Sequence, residues 1–145
     1  MALELGSRMR FLKQSEIRNM TLECTRLGGI NLSQGVCDTP VPEAVQRAAQ
    51  AAIAEGFNTY TRYDGLAELR SALSDKLRTH NELEYAADGE IIVTCGATGA
   101  FYGACAALLD PGDEVLVPVP TYPLYTAVLA KLGAETVYYR TDLGR

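Results

Sequence analysis

The sequence has one histidine, three lysines, no pair of cysteines at metal-binding spacing and no long apolar run. Each shortage excludes something. His80 lies in "LRTHNE", at an expected helix end, and no nucleophile and carboxylate set surrounds it, so a hydrolytic triad is not supported. The four cysteines, Cys24, Cys37, Cys95 and Cys105, include no CxxC. A zinc site needs ligands clustered at short spacings, so none is expected, and the cysteines read as small buried hydrophobes. No apolar stretch approaches the ~20 residues of a membrane span. The opening "MALELGSRMRFLKQSEIR" has no continuous apolar region of signal-peptide type. The expectation is a cytoplasmic protein. Lys and Arg number 13 against 18 Asp and Glu, a net charge of −5, which argues against nucleic acid or an anionic membrane as the main partner.

What is present is ordinary for a soluble globular chain: 145 residues, about one domain, 48% hydrophobic and 21% charged. Over residues 14–27, Ile17, Met20, Cys24 and Leu27 recur at helical spacing, and Gly28 and Gly29 end the helix. "INLSQGVCDTPVPEAV" is irregular, punctuated by Gly35, Pro40 and Pro42. Pro42 reads as a first-turn proline of a helix running to about Glu55. "GFNTYTRYDG" is a tyrosine-rich loop. From Leu66 a further helix places Leu66, Leu69, Leu73 and Leu77 on one face, and "ADGE" is a turn. Then the rhythm changes: strand Glu90–Thr94, helix Ala97–Leu109, turn "DPGD", strand Glu114–Val119, helix Tyr122–Leu132 closed by Gly133, strand Glu135–Tyr139. That alternation predicts an α/β fold with a parallel sheet and right-handed crossovers. There is no internal repeat. A three-strand parallel sheet at a chain end leaves faces and edges to be covered, so the chain is expected to be cut from something longer.

The glycine-rich stretch "IIVTCGATGAFYG" is the first candidate for chemistry. Its spacing, Gly96-x-x-Gly99-x-x-x-Gly103, puts the last glycine one position late for the dinucleotide fingerprint. At about 100° per residue, that shift turns it off the face that packs on the strand. The next strand ends "VPVPTYPLY" with no acid for a ribose, since Asp113 and Glu114 lie at its start. No lysine follows the glycines, so a Walker loop is absent. The turn itself remains suited to one phosphate. Small residues let the backbone approach a ligand, the first amides of the helix are unpaired donors, and Thr98 adds a hydroxyl. From the loop alone, a phosphate cradle and a plain strand-to-helix turn both stay open. Ligands of open α/β sheets bind at the carboxyl ends of strands, so Tyr122 and Tyr125 of "PVPTYPLY" share an edge with this loop. An aromatic there suits stacking on a flat ring; packing on the sheet is the other reading.

Taken in order, the segments resemble the N-terminal part of the class I/II aminotransferases, which are fold-type I pyridoxal-phosphate enzymes. "INLSQGVCDTPVPEAV" resembles an L-x-x-G segment with an acid and a proline before a helix. "YTRYDGLAELRSAL" resembles Y-x-x-x-x-G-x-x-x-L-R. "IIVTCGATGAFYGACAALLDPGDEVLVPVPTY" resembles G-[AG]-x-x-A, then D-P-G-D-x-V and P-x-Y. The closing "LGAETVYY" is the fourth match, and "DPGDEVLVPVPTYPLY" is the most specific. Cys37 stands where the family more often has a proline, and Thr39 where it has an aromatic.

The resemblance implies an incomplete parallel sheet with flanking helices, with residues 1–42 as N-terminal arm and small-domain segment and 43–145 as the start of the large cofactor-binding domain. It implies pyridoxal 5'-phosphate as cofactor, with Ala97 and Thr98 on its phosphate and Tyr122 on its pyridine ring. It implies Gly35 at the substrate carboxylate, and Tyr60 reaching the phosphate site of a second subunit, hence a homodimer. The substrates would be an amino acid and a 2-oxo acid. The family's Schiff-base lysine, the acid at the pyridine nitrogen and the carboxylate-gripping arginine lie beyond these segments. Lys13, Lys76 and Lys131 read as exposed. No catalytic residue is therefore assigned, and the 145 residues are not expected to turn over substrate alone. Other readings are a non-catalytic remnant, a carbon–sulfur lyase or decarboxylase using the same cofactor, and a small nucleotide-binding α/β domain.

Overall fold

A computed structural model describes residues 15–142 together with Glu4, Gly6, Ser7 and Met9; Lys13 and Gln14 lie outside the described residues. In chain order the elements are α1 (Glu16–Leu27), α2 (Glu43–Ala54), α3 (Ala67–Asn81), α4 (Gly96–Leu108), β1 (Glu114–Val119), α5 (Pro123–Leu132) and β2 (Glu135–Arg140). They fall into two compact units. One joins the described residues up to Gly35 with those from Cys95 onward, and the other is Val36–Thr94.

The first unit is organised by a β–α–β arrangement. β1 and β2 pair in parallel, from Glu114 opposite Glu135 to Val119 opposite Arg140. α5 connects them and supplies the most buried side chain, Leu129, which packs with Val117 of β1 and Ala134. Cys105 and Leu109, from α4 and its end, close over this cluster with Val115. The strands begin level because their entry turns are tied together. Gly112 N–H donates to the Gly133 carbonyl at 2.9 Å, and Glu135 N–H to the Asp113 carbonyl at 2.7 Å. Within the "DPGD" turn the Asp113 carboxylate accepts from Asp110 N–H at 2.7 Å. This motif is thus structural and sits at the amino ends of the strands.

Thr141 N–H donates to the Val119 carbonyl, so Val119, Val117 and Val115 direct their backbone groups toward β2. Pro118, of opposite parity, directs its missing N–H to the other edge. It costs the ladder nothing there.

The second unit holds α2, α3 and the segment following the turn at 87–90. Its buried residues are Asp64 and Arg70. Arg70 Nη1 donates to the Ala87 carbonyl at 2.6 Å and lies 3.2 Å from Asp64 Oδ2 and 3.3 Å from Asp88 Oδ1. Arg62 grips the same Asp64 carboxylate with both Nε and Nη2, at 3.0 and 2.8 Å. Burial pushes the Asp64 carboxyl up, but the Arg62 hydrogen bonds and the charges of Arg62 and Arg70 hold it, on balance, below the usual carboxylate range. Gly65 follows with φ +98°, and a Cβ there would meet Val93 Cγ2 at 2.7 Å. Only glycine accepts both the backbone angle and the close approach.

Several expectations need correction. The strand expected over Glu90–Thr94 forms no ladder, and the sheet among the described residues has two strands rather than three. A strand exists only through a neighbour; here Val93 N–H goes to the Asp64 carbonyl instead, at 3.0 Å. Pro42 caps α2 from outside rather than forming its first turn, and Leu66 and Tyr122 likewise stand at N-cap positions. The cysteines are not fully buried: Cys37 and Cys95 are exposed, while Cys24 and Cys105 are half-buried. Cys95 caps α4 and Cys37 lies in a loop, so neither can reach a core. Leu73 and Leu77 are half-buried as the helical face requires, but Leu66 and Leu69 are exposed. His80 sits in the last turn of α3 against the Thr79 hydroxyl, consistent with a structural role.

Candidate functional site

α4 starts on Gly96, with φ +73° and open space around the position a Cβ would take. Ala97 and Thr98 follow in the first turn, both exposed. α1, α2 and α3 each place a glutamate in the first turn, Glu16, Glu43 and Glu68, against the positive end of the helix dipole. α4 has no acid there and no side-chain cap. Its amino end, where the Ala97 and Thr98 amides precede the first intrahelical donors, is suited to an external anion.

An aromatic chain runs from α4 to α5. The Phe101 ring, one turn beyond Ala97, lies 4.7 Å from the Tyr125 ring at 52°. Tyr125 meets Tyr122 edge-on at 5.8 Å. Tyr122 remains 56% exposed, presenting a ring that is held on one side and open on the other. Edge-to-face pairs of this kind add about 0.5–1.5 kcal/mol beyond burial, enough to bias the rotamer of a residue at a helix cap.

Tyr122 and Gly35 line one cavity of about 340 Å³, with Ser15, Ile17, Arg18, Ser33 and Gln34 completing the wall. The loop is shaped by side chains: Asn31 Oδ1 accepts from Ser33 N–H at 3.0 Å, and the Thr21 hydroxyl contacts Gln34 and Asn31. The first unit thus contains Ala97, Thr98, Tyr122 and Gly35, with Gly35 and Tyr122 on a shared cavity. Tyr60 belongs to the other unit, in the loop before α3, with its ring fully exposed.

Other features drop out. A recess of about 480 Å³ is lined by Ser74, Arg78, Glu84, Tyr85, Ala86 and Glu90. Ser74 bonds the Tyr85 carbonyl, Arg78 pairs with Asp75 and Glu90 accepts from Ala86 N–H, so its polar groups already hold the turn on α3. No group of metal-ligating side chains occurs among the described residues, and no helix there is long and apolar enough to cross a membrane. The described lysines, Lys76 and Lys131, are exposed on helices. Arg18 was not singled out by motif or spacing; its signal is only that it follows Ser15 by one helical turn.

Comparison with known proteins defines the class. The model of the family "Aminotransferase class I and II" matches residues 28–143. This chain belongs to that family. A relative named probable N-succinyldiaminopimelate aminotransferase, from Mycobacterium tuberculosis, is 40% identical over 131 residues, covering 90% of this chain and 33% of the relative. An aspartate/prephenate aminotransferase from Nitrosomonas europaea is 32% identical over 146 residues, covering 97% and 36%. The solved N-succinyldiaminopimelate aminotransferase of Mycobacterium tuberculosis superimposes with a TM-score of 0.90 at 37% identity, over 97% of this chain and 37% of that one. The fold is accordingly that of the N-terminal portion of fold-type I aminotransferases. The chain spans about a third of the length of the curated relatives it matches.

Proposed function

We propose that this chain carries the phosphate-holding and ring-stacking part of a pyridoxal-phosphate-dependent aminotransferase, which moves an amino group between an amino acid and a 2-oxo acid. The observation that carries the reading is the pairing of an α4 amino end free of acids with a half-open tyrosine tied to the same helix. The residues fit the cofactor's two ends. Ala97 and Thr98 offer amides and a hydroxyl to a phosphate. Tyr122 offers a ring face to a pyridine, and Gly35 offers backbone on the same cavity to a substrate carboxylate. When bound, pyridoxal phosphate supplies the electron sink for chemistry at the amino acid's α-carbon. The roles of the residues named here are to bind and orient. The division into an arm over 1–42 and a large-domain start over 43–145, a homodimer with Tyr60 facing the second subunit's phosphate site, and a cytoplasmic location belong to the same proposal.

Titration with pyridoxal phosphate, followed by tyrosine fluorescence, is the test. Saturable quenching that NAD does not reproduce is expected. Tyr122→Ala should weaken it about tenfold, the size of one stacked aromatic contact. A chain that ignores pyridoxal phosphate would sink the reading.

A further inference from the structure

The chain contains two Asp–Gly bonds, Asp64–Gly65 and Asp88–Gly89, and the fold treats them in opposite ways. Such a bond rearranges without a catalyst when the glycine nitrogen reaches the carboxyl carbon of the preceding side chain. Glycine favours the approach because it has no Cβ and restricts the backbone least. At Asp64 both reacting groups are engaged. The carboxylate is buried, takes two hydrogen bonds from Arg62 and lies 3.2 Å from Arg70. Gly65 N–H donates to the Arg62 carbonyl at 3.1 Å, and Val93 crowds Gly65 from the side. At Asp88 neither group is held in this way. The side chain is 87% exposed, and its contacts are Arg70 Nη1 at 3.3 Å and Arg62 Nη2 at 3.9 Å. Gly89 stands in the turn at 87–90 with open space around the position a Cβ would take. Its N–H makes no hydrogen bond to the described residues.

We propose that Asp88–Gly89 is a site of spontaneous isoaspartate formation, and that the change undoes the buried arginine node beside it. The Gly89 nitrogen bonds to the carbonyl carbon of the Asp88 side chain. The hydroxyl of that carboxyl leaves with the amide proton as water, and a five-membered succinimide results. Water then adds to either ring carbonyl. Opening at the side-chain carbonyl restores aspartate. Opening at the α-carbonyl leaves the chain running through the former side chain, with one more methylene in the backbone and the carboxylate on the α-carbon. Water is lost once and regained once, and nothing is oxidised. The consequence follows from charge. Arg62 and Arg70 face two carboxylates, Asp64 and Asp88. Arg70 is buried and its Nε already lacks a partner among the described residues, so the node has no spare acceptor. Isomerisation moves the Asp88 carboxylate and lengthens the turn whose Ala87 carbonyl accepts from Arg70. A buried charge that loses partners destabilises its surroundings.

The test incubates the 145-residue chain in water enriched in heavy oxygen, which ring hydrolysis fixes into the product. Cleavage after glutamate, in ordinary water, then releases residues 56–68 and 85–90, one carrying each bond. Electron-transfer fragmentation tells isoaspartate from aspartate. In the folded chain isoaspartate should form at Asp88 at least about tenfold faster than at Asp64, which reacts only through local opening. In urea, where the fold no longer separates the two, their rates should converge. Asp88→Glu keeps a carboxylate but needs a six-membered ring, and should remove isoaspartate and label from 85–90. Aged wild type should show a lower urea midpoint than fresh protein, and aged Asp88→Glu should not shift. No isoaspartate in 85–90, equal rates in the folded chain, or the same ratio folded as in urea would each overturn the site. An unchanged midpoint in chain converted at Asp88 would overturn the link to Arg70.

Discussion

The two compact units are held together by opposite means. In the unit containing the sheet, the buried residues are Val117, Val128, Leu129 and Ala134, all apolar. In Val36–Thr94 the buried residues are Asp64 and Arg70, an ion pair. The difference reflects what each stretch has to bury. A β–α–β arrangement closes on itself and hides one face of its helix against the sheet. Two helices and their connecting loops do not close, so that Val45 and Ile53 of α2 stay exposed. Order there comes from directional bonds at one node, where Arg70 ties α3 to the turn at 87–88 and Asp64 ties the preceding loop to Val93. An apolar cluster tolerates reshaping; a buried charge does not tolerate losing its partner.

Substitutions can break this contrast. Leu129→Ala should cost the most, about 3–4 kcal/mol, because the side chain is fully buried and a rigid cavity remains. The urea midpoint measured by circular dichroism checks it. Arg70→Ala should cost about 3 kcal/mol and expose the Val93 amide to hydrogen exchange. The double change Asp64→Leu with Arg70→Met should cost less than Arg70→Ala alone, since no charge is then left without its partner. If the single and double variants are equally damaged, the node is not electrostatic. Gly65→Ala follows at about 2 kcal/mol, from the left-handed backbone and the approach to Val93.

The acid response sharpens the comparison further. The Asp64 carboxyl is held below its unfolded value. Its contribution is therefore present above the unfolded pKa of about 4 and lost as pH falls through the lower folded value. Hydrogen exchange at Val93 should rise on acidification in the wild type, beyond the intrinsic effect of pH, and Asp64→Asn should remove that rise. The smallest effect concerns the thiols. The Thr39 hydroxyl draws the Cys37 thiol below its ordinary pKa, while burial pushes Cys105 up. Iodoacetamide should label Cys37 first, and Thr39→Val should slow that labelling by about twofold.

What was legible in the sequence were features that depend on neighbours along the chain. Gly28 and Gly133 end their helices in the left-handed conformation expected of them, and the alternation after residue 112 produced parallel strands. Features that depend on partners distant in sequence were not legible. The run at 90–94 has strand composition, yet its ladder has to come from elsewhere. The segment "YDGLAELR" was recognisable as a motif, but nothing in its spacing reveals that Asp64 and Arg70 meet below the surface. The same holds at the site. The glycine turn and Tyr122 could be placed on one edge from topology alone, while the cavity uniting Gly35, Tyr122 and Arg18 depends on how the loop after α1 returns.

The tie between the turns that precede β1 and β2 has a further meaning. It locks the sheet at the end away from Tyr122 and the α4 amino end, so register is set at the opposite end from the residues that would meet a ligand. Substitutions at the open end then alter recognition without disturbing alignment. A lineage built this way can change what it recognises while inheriting how it folds, and aminotransferase relatives named for different substrates are what such a division of labour would leave behind.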